Sequence, residues 1–241
     1  MKKILLLAFF TGTTFLIGTA PVSAQDGPVV IPVEMFTCTF NDGKDADDLD
    51  DVVDKWNAWA DEQGVDDYAA WTLTPYYYGP GANAGFDVIW MGAAKNGVAL
   101  GTRQDQFMAE DAGLNEDFNE VISCGSHVNY ASINHKAPPQ GATPANSIIT
   151  FSDCSFKEGA TGAAVDAATA EWSQYMTDQG SSTGIFHWYP AYGGGGGDFD
   201  FKWLEAHESL AALGADFDNY GNGGGYVKDG QLFDHLLDCD P

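Results

Sequence analysis

The sequence predicts an α+β fold built from two copies of one β-α-β-β-α-(β) module. Three observations lead there. Cys38 and Cys124 are 86 residues apart and Cys154 and Cys239 are 85 apart, so the four cysteines fall into two like pairs. A shift of 116 residues lays Cys38-Thr39-Phe40 on Cys154-Ser155-Phe156, and Glu62-Gln63-Gly64 on Asp178-Gln179-Gly180. The same shift lays Leu49, Val52, Trp56 and Trp59 on Val165, Ala168, Trp172 and Tyr175, so the helical stripe repeats as well. Self-similarity at a fixed period marks a repeated structural unit.

Each element has its own signal. Residues 33–40 alternate and favour strands, as does their counterpart 148–156. Residues 47–63 carry apolar side chains at i, i+3, i+4 and i+7, the stripe of an amphipathic helix. Gly64 and Gly180 follow as helix-ending residues that adopt positive φ. Residues 68–78 and 184–192 are aromatic-rich second strands, and 86–91 and 198–204 are third strands. Phe86-Asp87 and Trp90-Met91 match Phe199-Asp200 and Trp203-Leu204. A helical region follows, broken at Gly101 and Gly113 in one copy and at Gly214 and residues 221–225 in the other. Residues 127–134 form a fourth strand, which the second copy lacks because it stops just after Cys239.

Composition narrows the function. The 241 residues hold 35 acidic and 10 basic side chains, a formal charge of −25. That excludes a nucleic-acid binder, which needs a basic face to displace counterions, and argues against anionic lipid surfaces. Lys2 and Lys3, an apolar stretch over 4–17 and the small residues 20–24 read as a signal peptide cut after Ala24. The protein is then periplasmic or extracellular, with no membrane span once the signal is removed. The expected division is a signal peptide at 1–24, a first repeat at 25–136, a Pro-rich linker at 137–147 and a second repeat at 148–241. The acidic run 42–51 lacks the Gly and Glu of a calcium loop and reads as a solvated first helical turn.

This element order is the ferredoxin-like split βαβ, and two such units in one chain resemble the dimeric α/β-barrel superfamily in fused form. In that arrangement each copy covers the other's open sheet face. The resemblance rests on element order and covers residues from about 30 to 241. All three cysteine pairings respect the repeat, but in a ferredoxin-like unit the end of the first strand lies beside the start of the fourth. That topology implies Cys38–Cys124 and Cys154–Cys239. The superfamily includes cofactor-independent monooxygenases and haem-using oxidoreductases, so an oxidoreductase is one alternative, with haem its implied cofactor. None of those families' catalytic sets maps onto this sequence.

The residues themselves contain no G-x-S-x-G, H-E-x-x-H, P-loop or dinucleotide fingerprint, and no cofactor and no metal site is expected from them. The candidate ligand-binding set is Trp71, Tyr77, Asp87, His187, Tyr189, Tyr192 and Asp200. His187 lies in an aromatic strand, where it is either a ligand-facing imidazole or a half-buried core residue. Asp87 and Asp200 are acids kept inside aromatic strands in both copies, with Arg103 and Lys202 as candidate partners. The Tyr and Trp excess near the Gly-rich hairpins suits a cleft for a small apolar or aromatic molecule, or a contact surface for a partner. The expected role is a binding protein, with an oxidoreductase and a structural envelope protein as alternatives. Oligomeric state is open.

Overall fold

The structure is a computed structural model that describes residues 29–77, 85–110, 112–138, 147–194 and 197–240. The signal-peptide reading and most of the linker fall outside the described residues. The first half runs β1 (Val30–Phe40), α1 (Ala46–Glu62), β2 (Tyr68–Leu73), β3 (Val88–Ala94), α2 (Gly97–Glu110), α3 (Leu114–Val121) and β4 (Ile122–Lys136). The second runs β5 (Ile148–Phe156), α4 (Gly162–Asp178), β6 (Gly184–Tyr192), β7 (Phe201–His207), α5 (Leu210–Gly221), α6 (Gly225–Phe233) and β8 (Leu237–Cys239). Both halves thus follow the same order, with two helices where the sequence predicts one interrupted region.

Local chemistry explains the element ends. The acidic run begins α1: the Asp45 carboxylate accepts from the backbone of Asp47 and Asp48, and Asp48 accepts from the Asp45 N–H in return. This capping box satisfies donors that the first helical turn leaves free. Gly64 and Gly180 sit at φ +64° and +81° past the ends of α1 and α4, as expected of C′ glycines. Gly101 and Gly214 do not break their helices; α2 and α5 run through them. The breaks come at Gly113 and Gly224, both at φ near +88°, where only glycine avoids strain.

All eight strands form one sheet in the order β2-β3-β1-β4-β6-β7-β5-β8. Each half contributes the split order of a ferredoxin-like unit. The long β4 joins them, pairing antiparallel with β1 on one side and with β6 on the other. The fourth strand of the second half is present, as a correction to the sequence reading, but β8 pairs over only three residues.

Strand alternation sends two sets of side chains to opposite faces. One face carries Val33, Ile89, Met91 and Tyr130 from the first half, and Trp188 and Leu204 from the second, in a single buried cluster. The two halves therefore share one interior core. The other face packs under helices: Cys38, Val88 and Ile122 meet Leu49, Val52 and Val121, while Ile185 and Phe201 meet Val165, Trp172, Met176 and Phe233. Disulfides join Cys38 to Cys124 and Cys154 to Cys239, directly across β1–β4 and β5–β8. Each closes a loop of about 85 residues, which the chain-entropy model values at roughly 4 kcal/mol.

Candidate functional site

The sequence-selected residues do not converge on one site. Asp87 and Asp200 are structural. The Asp87 carboxylate accepts from the Phe40 N–H at 2.9 Å and Asp200 from the Phe156 N–H at 2.7 Å. Their own N–H groups donate to Cys38 and Cys154. Each acid thus ties the start of the third strand to the end of the first, beside a disulfide, and this explains why both halves carry it. The expected partners are also different: Arg103 binds Asp67, and Lys202 binds Asp153 across β5–β7. Tyr77 and Tyr192 are exposed, and Trp71 lies on edge strand β2, facing the same side as Met91. His187 and Tyr189 face the helices of the second half, and His187 is fully buried. Sheet register sets His187 opposite Trp203 as Thr72 lies opposite Trp90, so Thr72 is its counterpart in the first half.

A cleft and its polar lining lie elsewhere, between the helix-facing side of β5 and β7 and helices α4, α5 and α6. The cleft has a volume of about 510 Å³. Its aromatic wall includes Trp172, Trp203, Tyr220 and Phe233, with Trp203 and Phe233 edge to face at 5.2 Å. Phe217 and Tyr220 line it from α5 yet remain exposed, while Tyr226 and Val227 on α6 are exposed outside its lining. A cleft of this volume with a few convergent polar groups is typical of small-molecule sites. Its polar groups are mostly acids: Glu205, Asp216, Asp229, Asp234 and Asp238, against Lys157 and His207.

A hydrogen-bonded relay supports one end of the cleft. The Thr183 hydroxyl donates to Asp216 and so accepts from His207 Nδ1–H at 2.8 Å, because a hydroxyl has one proton to give. Ser181 also donates to Asp216, and the Lys136 ammonium donates to the carbonyls of Ser181 and Thr183. Burial pushes the Asp216 carboxyl up, but the His207 ring 3.4 Å away and hydrogen bonds from Thr183 and Ser181 outweigh it and hold the group below its ordinary value. His207 Nε2 is buried without a hydrogen-bond partner, 3.7 Å from Glu205. Burial raises the Glu205 carboxyl, against the pull of His207 and of the Trp203 indole that donates to it. The Glu205 side chain keeps 24% exposure through the cleft, which tempers that rise. Burial and the nearby acid likewise raise Tyr220, which donates to Asp229, to about 12.

The first half keeps the same aromatic trio without this chemistry. Trp90 packs against Trp56 at 5.2 Å and Phe118 at 5.3 Å, as Trp203 packs among Trp172 and Phe233. Register makes Tyr68, Gly92 and Ala94 the counterparts of Thr183, Glu205 and His207. The Tyr68 ring lies over Gly92 so closely that a Cβ there would meet the Tyr68 hydroxyl at 1.9 Å. The Tyr68 hydroxyl donates to the buried Glu34, which also accepts from Gln104 and hydrogen-bonds His127. One half is thus filled by a tyrosine whose hydroxyl is hydrogen-bonded. The other exchanges that ring for Thr183 and gains an acid and an imidazole.

Solved structures share the fold, among them the following two. A provisionally named chlorite dismutase superposes with a TM-score of 0.53 at 12% identity, covering 88% of this chain and 92% of that one. A provisionally named monooxygenase from Lactobacillus acidophilus gives 0.54 at 9% identity, covering 89% and 91%. No protein-family model matches the sequence, and no curated protein is similar to it. At such identities the likeness is one of fold: the chain is similar to a chlorite dismutase-like and a monooxygenase-like protein in having two ferredoxin-like units, here joined in one eight-stranded sheet.

Proposed function

We propose that this is an exported binding protein whose second half takes a small, flat aromatic molecule carrying positive charge. One observation carries the reading: an aromatic-walled cleft of about 510 Å³ has an acidic lining in the half where the filling tyrosine is missing. Aromatic faces stack on a flat ligand, and ring faces and carboxylates both attract a cation. Two disulfides suit an oxidising compartment, and among the described residues no helix is long and apolar enough to cross a membrane. The signal peptide and the gene duplication belong to the same proposal.

Haem, the cofactor the fold resemblance implies, does not fit this cleft. Its two propionates would meet Asp229, Asp234 and Asp238, with Lys157 as the one lysine of the lining. His207 is the one histidine of the lining, and its Nε2 is enclosed by protein, so it offers no open axial position. An oxidoreductase that works without haem is the second reading. It is favoured by the monooxygenase name of one fold neighbour and by Glu205 beside the His207–Asp216 relay.

Calorimetric titration with a quinolinium cation, neutral naphthalene and a naphthalene carboxylate tests the binding reading. The cation binds most tightly and the carboxylate least, and Phe217→Ala weakens the cation by roughly tenfold, the value of one aromatic contact. Phe217 is 73% exposed, so its loss leaves the fold intact. Equal affinity for cation and carboxylate refutes the proposal.

A further inference from the structure

Three buried polar atoms without hydrogen-bond partners meet at one point outside the cleft. They are His135 Nε2, Asp166 Oδ1 and His187 Nδ1, and one donor atom from each of the three residues lies within 4.8 Å of the others. Each unpaired buried group costs about 1–3 kcal/mol, so three at one point call for an occupant. Chance burial does not account for how they are aimed. His135 sits at the irregularity in β4 between Asn134 and Lys136, where the register against β6 shifts, and such bulges redirect a side chain. The His187 ring faces His135 at 4.0 Å between centroids. Its Nε2 lies 3.5 Å from the Thr169 hydroxyl, whose proton goes to the Val165 carbonyl. Thr169 therefore accepts the Nε2–H, which leaves the Nδ1 lone pair directed at the cluster. Asp166, on the first turns of α4, is 3.8 Å from His135, too far for a hydrogen bond, and its side chain is 46% exposed on its outer side.

We propose that His135, Asp166 and His187 bind a divalent transition-metal ion, with zinc the reference ion. Two imidazoles and a carboxylate are a donor set that zinc and its first-row neighbours accept, and the exposed side of Asp166 leaves a coordination position toward solvent. Ligand bonds of about 2.0–2.1 Å require the atoms to draw in by roughly 1 Å, which the bulge at His135 and the exposed Asp166 permit. The ion would tie β4, from the first half, to β6 and α4 in the second. It is separate from the cleft: the Trp203 ring, 4.7 Å from that of His187, stands between them. The site therefore stands or falls independently of the cleft's ligand.

The oxidised full chain is freed of metal with a chelator and titrated with zinc, with bound metal counted per chain. One tight zinc per chain is expected, with affinity falling by at least about 100-fold in both Asp166→Asn and His135→Gln. Near-UV circular dichroism checks that the variants keep their packing. Cobalt in the unaltered protein supplies a second readout, with intense visible bands expected from four or five ligands including imidazole. No stoichiometric zinc, unchanged affinity in both folded variants, or the weak spectrum of six-coordinate cobalt overturns the proposal. Unchanged affinity would assign the zinc to the acidic surface.

Discussion

Replacing Trp188 by alanine probes the core that the two halves share. Trp188 is 4% exposed and packs against Tyr130 of β4 at 5.7 Å and Phe151 of β5 at 5.8 Å. Its cluster includes Val33, Ile89 and Met91 from the first half. Removing a buried tryptophan loses its transfer energy and leaves a cavity, together about 3–5 kcal/mol. With a urea slope near 2–3 kcal/mol per molar, the midpoint should fall by roughly 1.5 M. Urea unfolding followed by far-UV circular dichroism, with hydrogen-exchange mass spectrometry reading each half, makes the measurement. Both halves should lose protection at the same lowered urea concentration. A first half that keeps its original midpoint while the second weakens would refute the shared core and leave two domains held by a strand.

Two further outcomes follow from the hydrogen bonds. Asp87→Ala and Asp200→Ala should each cost about 1–2 kcal/mol, because each leaves a strand-end N–H without its acceptor, and neither should alter binding in the cleft; altered ligand affinity in Asp200→Ala would return that residue to the site. Burial pushes Glu34 up, but hydrogen bonds from His127, Tyr68 and Gln104 hold its carboxyl below the usual 4.5. Stability from such a carboxylate is present above pH 4.5 and lost as pH falls through its lower folded value. Glu34→Gln should therefore cost about 1–3 kcal/mol at pH 7, with the gap closing below pH 4.5. A gap that stays constant from pH 7 to pH 3 would contradict this role.

The architecture was readable because it depends on patterns that recur along the chain. Period-two strands, the α1 stripe and the cysteine intervals each repeat, and the ferredoxin-like order followed from them. The three-residue β8 was missed because its pairing partner β5 is distant in sequence and its only local signal is Cys239. Asp87 and Asp200 were seen as a pair, but their acceptor role depends on backbone N–H groups 47 and 44 residues away. The cleft was invisible to motif searching because Glu205, Asp216 and Asp229 come from β7, α5 and α6 at no recognised spacing. A signal did exist in the differences between the halves, where Thr183, Glu205 and His207 stand in register with Tyr68, Gly92 and Ala94. Likeness between the halves reports the fold, and departure from likeness marks the cleft proposed as the site. His135, Asp166 and His187 likewise lie on three separate elements, so only folding brings them together.

The most direct test of the functional account reads the tryptophans one at a time. Indole N–H resonances of the labelled protein can be assigned by substitution and followed while quinolinium is added. Trp203, which lines the cleft, should shift furthest and Trp172 next, while Trp71, Trp90 and Trp188 stay in place. Shifts centred on Trp71 or Trp188, or none at saturating cation, would contradict a ligand site beneath α5 and α6.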